Sequence, residues 1–159
     1  MSSSTVLVIF EGSSTGPLWA SADDVICYIR HLGCPVFALE EPLRANEYDD
    51  CRKIFETLST PIILDESFTA EADFETLQTH PEPWIINIRI SKMGGILRSL
   101  AIAEQAKQIG IPIIIGAQVG ETSILTRAAL TLATLPTPTE TLPSLKRERL
   151  VLICWKRIL

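Results

Sequence analysis

Charged signatures recur along this chain at steady intervals, each at the carboxyl end of an apolar run. Leu39-Glu40-Glu41-Pro42 follows Pro35-Val36-Phe37-Ala38, Asp65-Glu66-Ser67 follows Pro61-Ile62-Ile63-Leu64, and Arg89-Ile90-Ser91-Lys92 follows Trp84-Ile85-Ile86-Asn87-Ile88. Asp65 lies 25 residues after Glu40, and Arg89 lies 24 after Asp65. A strand, a helix and two short loops need roughly this length. The pattern therefore predicts parallel strand–helix units whose charged groups gather on one rim of a sheet. Carboxylates clustered on such a rim invite a divalent cation.

With 159 residues, 47% of them hydrophobic, the chain can bury a real core, and one domain is expected. It contains no apolar run of about 18 residues, the length a membrane-spanning helix needs. Met1-Ser2-Ser3-Ser4 lacks the basic start of a secretory leader. A cytoplasmic protein with no membrane partner is the expectation. Cys27, Cys34, Cys51 and Cys154 form no CxxC pair and read as reduced thiols, and neither His31 nor His80 completes a closely spaced zinc set. A net charge of -5 argues against a nucleic-acid surface but not against one anionic substrate held by a metal.

Periodicity and punctuation give the element order. A short apolar run occupies residues 6–10. Ser21 caps a helix that runs to about Leu32 and stops at Gly33, with Val25, Ile26, Ile29 and Leu32 at helical spacing. After the strand ending at Glu40, a helix over 48–58 presents Cys51, Ile54, Phe55 and Leu58 on one face. A strand over 61–64, a helix over 70–78 and a strand over 85–90 follow. Gly94-Gly95 then precedes the longest helix, 97–109, whose Leu100, Ile102, Ala103 and Ala106 face inward and which Gly110 closes. Residues 112–116 form a strand of nearly unbroken isoleucine, the pattern of burial on both faces. The last clear helix covers 122–134. Beyond it lies a Pro/Thr-rich irregular stretch, then a basic and apolar tail containing Val151-Leu152-Ile153-Cys154-Trp155. Three segments result: an atypical 1–17, a strand–helix domain over 18–134, and an irregular 135–159.

The same residues carry a family resemblance. Glu40-Glu41-Pro42, Asp65-Glu66-Ser67, Asn87-Ile88-Arg89 with Lys92 and Gly94-Gly95, and the isoleucine strand ending in Gly116-Ala117-Gln118-Val119-Gly120-Glu121-Thr122-Ser123 occur in this order. Together they resemble the carboxyl-terminal barrel domain of the enolase superfamily, and within it the mandelate racemase and muconate lactonizing enzyme branch. The resemblance implies an α/β fold with a partial TIM-type barrel of parallel strands. It also implies a magnesium ion that stabilises the enediolate formed when a base removes the proton beside a substrate carboxylate. Glu40 and Asp65 match two metal-ligand positions, with Glu41 and Glu66 beside them at the rim. A small carboxylic acid is the implied substrate, and an isomerase or lyase the implied activity.

Where the family carries Asp-x-Asn, five residues before a tryptophan equivalent to Trp19, this chain has Ser14, so a third ligand is missing. Arg89 occupies the position of a catalytic lysine. Arginine stays protonated and is a poor proton acceptor, although it binds carboxylates. Lys92 is three residues on, and strand alternation sends it to the opposite face unless the strand has ended. The family's Lys-x-Lys strand and capping domain have no counterpart, which leaves about five of eight barrel units. Two readings stay open. One is a magnesium-dependent enzyme in which Arg89 or Lys92 contacts substrate. The other is a catalytically silent fragment or interaction subunit, inactive alone, that self-associates or pairs with a chain completing the barrel.

Overall fold

The computed structural model of this chain describes residues 19–116 and 123–134. The expected strand over 6–10, the Ser14 segment, Gln118 and everything from 135 onward lie outside the described residues. Cys27, Cys34 and Cys51 are free thiols, and no described helix is long and apolar enough to cross a membrane.

Two compact units divide the chain, one formed by Met1–Ser67 with Glu82–Trp84, the other by Phe68–Pro81 with Ile85–Leu159. In the first unit, α1 (Ala22–Leu32) starts at Ser21, whose Oγ accepts from the Asp24 amide at 3.3 Å. It stops at Gly33, whose φ of 63° is a left-handed conformation that glycine adopts at little cost. Val25, Ile26 and Ile29 are buried as the spacing predicts, while Leu32 is half-buried. Against α1 packs α2 (Tyr48–Leu58), which buries Cys51 and Ile54 and leaves Phe55 and Leu58 half-buried. Lys53 on α2 meets Asp23 on α1 at 2.9 Å; with both side chains largely in water, the pair adds little stability.

Strand β1 (Leu39–Glu40) runs parallel to β2 (Ile62–Leu64), with Leu39 opposite Ile62 and Glu40 opposite Ile63. Ladder bonds extend the pairing past the short strands: Leu39 N–H donates to Pro61 O at 2.9 Å, and Glu41 N–H to Ile63 O at 3.1 Å. Every residue of both strands is buried. The Trp84 ring lies edge-on to Tyr48, centroids 5.7 Å apart, at the end of this unit.

In the second unit the expected helix over 70–78 is shorter, a 3-10 turn at Glu71–Asp73 followed by α3 (Phe74–Leu77). Asp73 caps its start: its carboxylate accepts from the Thr69 and Ala70 amides at 2.7 and 2.9 Å, satisfying donors ahead of the first turn. Phe74 packs edge-on to Phe68 at 4.9 Å, both rings buried. Strand β3 (Trp84–Ile88) is buried throughout; from Ile86 on it pairs in parallel with β4 (Ile113–Ile115). Ile113 and Ile114 remain half-buried rather than fully covered, because β4 has only β3 as a ladder partner among the described residues.

Helix α4 (Ile96–Ile109) connects the two strands and packs against α5 (Ser123–Thr134). Ser99 is buried on its inner face beside Ile102, Ala103 and Ala106, and satisfies its hydroxyl on Gly95 O at 2.9 Å. Leu100, expected inward, is half-buried.

Candidate functional site

Register places two acids together. Glu40 is the last residue of β1 and pairs with Ile63, and Asp65 follows directly on Leu64, the last residue of β2. Both carboxylates are buried, Glu40 4% and Asp65 8% exposed. They stand at the carboxyl end of two neighbouring parallel strands, as the sequence predicts.

Glu41 is placed differently. Its Oε1 accepts from the amides of Asp65 at 2.8 Å and Ser67 at 2.7 Å, and its Oε2 accepts from the Ser67 hydroxyl at 2.9 Å. Burial pushes its carboxyl above the usual range, the hydrogen bonds from Ser67 and Asp65 pull it down, and the Asp65 charge adds to the rise. Its backbone has φ 40°, immediately before Pro42. A glutamate there costs about 1–3 kcal/mol and persists only where the surroundings hold it. The network continues outward: Asn46 N–H donates to Ser67 Oγ at 2.8 Å, and the Tyr48 hydroxyl donates to Ser67 O at 2.7 Å. Glu66, between Asp65 and Ser67, is exposed.

Cys51, on the buried face of α2, is held as a neutral thiol. Burial first, then the charges of Glu41, Glu47 and Asp50, push it up to about 12.

Arg89 and Lys92 belong to the second unit, at the end of β3. The strand stops at Ile88, and the amides of Lys92 and Met93 both donate to Arg89 O, at 2.9 and 3.0 Å. Lys92 thus sits in a turn, and the strand alternation that would send it away from Arg89 no longer applies. Both side chains are half-buried. Asn87 is buried beside Gly116, where any Cβ would run into its amide, and Gly116 N–H donates to Ile88 O at 3.1 Å.

As a donor set, Glu40 and Asp65 suit a small hard cation chemically: two buried carboxylates at the carboxyl ends of two neighbouring strands. Glu41 spends its oxygens differently, accepting three hydrogen bonds from the chain after β2. Among the described residues no group of three or more His, Cys, Asp or Glu side chains forms a ready metal cluster. Sequence reasoning missed Ser67, Asn46 and Tyr48 as members of this neighbourhood. Only Ser67 left a trace, as the third residue of Asp65-Glu66-Ser67.

Known proteins resemble this chain in sequence and fold. The model of Enolase C-terminal domain-like proteins matches residues 18–150. An L-Ala-D/L-amino acid epimerase of Maribacter sp. is 32% identical over 99 residues, 60% of this chain and 28% of that protein. The L-Ala-D/L-Glu epimerase of Bacillus subtilis is 32% identical over 98 residues, 61% of this chain and 26% of that protein. A crystal structure of a dipeptide epimerase from Enterococcus faecalis V583, complexed with Mg and the dipeptide L-Leu-L-Tyr, superposes with a TM-score of 0.67 at 28% identity, over 74% of this chain and 33% of that one. The chain spans between 26% and 33% of the length of these three relatives. Its parallel strand–helix units are part of a TIM-type barrel, and the chain belongs to the enolase C-terminal domain-like family.

Proposed function

We propose that this chain carries the metal-binding edge of a magnesium-dependent isomerase of the racemase and epimerase kind, which removes the proton beside the carboxylate of a small acid. The observation that carries the reading is the pair Glu40 and Asp65, buried carboxylates at the carboxyl ends of two paired parallel strands. These two residues would hold the cation, which when bound offsets the negative charge that builds on the substrate carboxylate. Two protein carboxylates make for weak affinity, since magnesium dehydrates reluctantly and keeps most of its waters.

Arg89 is permanently protonated, so its role is to bind and orient an anionic oxygen through its guanidinium fork. Lys92 is the group able to take or return a proton at Nζ, once a dry environment lowers its affinity for that proton. Glu66, exposed at the rim, contributes negative potential near the two ligands. Relatives act on dipeptides and N-acylated amino acids by their names, for example the Enterococcus faecalis dipeptide epimerase and an N-succinyl-L-Arg/Lys racemase of Bacillus cereus, and compounds of those classes are the substrates to try.

A second reading, a catalytically silent fragment or interaction subunit of such a barrel, is favoured by Arg89 at the position that the resemblance gives to the family's base. Exchange of the substrate α-proton for deuterium, followed by NMR, separates the two. No exchange with magnesium present is the outcome expected of the chain alone and supports the second reading. Magnesium-dependent exchange that disappears in Lys92→Ala would establish catalysis, with Lys92 as the base.

A further inference from the structure

Two glutamates, Glu40 and Glu41, stand side by side at the end of β1. Glu41 holds the main chain that carries Asp65. Its Oε1 receives the amides of Asp65 and Ser67, residues 24 and 26 positions further along the chain, and its Oε2 receives the Ser67 hydroxyl. Asn46 and Tyr48 grip Ser67 from the start of α2. The chain leaving β2 is therefore fastened on both sides of Glu66, by a side chain whose own backbone is held at φ 40°.

We propose that Glu41 is a positioning residue for the metal site: it fixes the main chain at Asp65 so that the Asp65 carboxylate meets the cation together with Glu40, and it does so as a pair of acceptors rather than as a charge. The inference rests on reading Glu40 and Asp65 as the ligands. Magnesium demands near-ideal octahedral geometry, so a carboxylate on a slack loop binds it poorly. Both amide bonds go to one oxygen, which the carbonyl of a glutamine reproduces. The other oxygen faces Ser67 Oγ, which can accept from a glutamine NH2 as readily as it donates to a carboxylate. A leucine of similar size offers no acceptor and leaves three buried donors without partners.

The test uses Mn2+ as the probe on the isotopically labelled full chain, reading paramagnetic broadening of backbone amides as a function of concentration. Wild type, Glu41→Gln, Glu41→Leu and Ser67→Ala are compared. Removing partners behind a metal ligand weakens binding roughly 10-fold to 100-fold, and that loss is expected for Glu41→Leu, together with shifted and faster-exchanging Asp65 and Ser67 amides. Glu41→Gln should bind within about threefold of wild type, because it keeps both amide acceptors. Ser67→Ala should fall between them.

Glu41→Leu that folds and binds like wild type would overturn the positioning role. So would Glu41→Gln weakened tenfold or more, and that variant decides the matter if Glu41→Leu does not fold. The ligand reading fails on a different observation: broadening in wild type that is absent around Glu40 and Asp65, or that persists unchanged in Asp65→Asn. Either result would remove the positioning role as well.

Discussion

The carboxyl ends of β2 and β3 carry chemistry of opposite charge and are built in opposite ways. After β2, the chain is tied by long-range bonds: Glu41 reaches across to Asp65 and Ser67, and Asn46 and Tyr48, at the start of the preceding helix α2, close on Ser67. After β3, the chain turns on its own backbone, with Lys92 and Met93 donating to Arg89 O and Gly95 to Ile90 O. The acids are buried, whereas the bases are half-buried. A cation site needs fixed, dry ligands before the cation arrives. A basic group that meets a substrate can keep its long side chain partly in water and adjust.

That contrast predicts an order of mutational cost. Glu41→Leu should be the most damaging, because stranding three buried donors at about 1–3 kcal/mol each gives a loss of roughly 3 kcal/mol or more, measured by denaturant unfolding. A loss below about 1 kcal/mol would mean that the post-β2 network is looser than its geometry. Gly116→Ala should come next, at about 1–3 kcal/mol, since the added Cβ must displace the buried Asn87 amide. Lys92→Ala should change stability by less than about 0.5 kcal/mol, as for other partly exposed positions. If Lys92→Ala cost as much as Glu41→Leu, the contrast would collapse.

Cys51 gives the first unit a pH signature that appears only in alkali. Its folded pKa of about 12 lies above the ordinary 9.0, so the stability it contributes is fully present below pH 9 and is lost as pH rises toward 12. Unfolding curves from about pH 8 to about pH 11 should show wild type losing stability relative to Cys51→Ala. In the folded protein near neutral pH, Cys51 should resist alkylation while exposed Cys27 reacts.

Much of this was legible in the sequence because its signals are local. The caps Ser21 and Gly33, the apolar spacing of α1 and α2, and acids at the ends of apolar runs each follow from neighbouring residues, and they placed Glu40 and Asp65 correctly at strand ends. What stayed hidden depends on partners far along the chain. The resemblance put Glu41 at the rim beside Glu40, but what Glu41 bonds to emerges only when β1 pairs with β2 and its side chain meets amides 24 and 26 residues away. Strand parity set Lys92 apart from Arg89 only for as long as the strand was assumed to continue, and it ends at Ile88. The helix expected over 70–78 forms over 71–77, its first turn a 3-10 turn that Asp73 caps from within.

The central claim is that Glu40 and Asp65 together hold a divalent cation, and isothermal calorimetry with magnesium tests it most directly. Weak binding in wild type that disappears in the double variant Glu40→Gln plus Asp65→Asn is the predicted result. Tight, stoichiometric binding that survives the double variant would contradict it and place the ligands elsewhere in the chain.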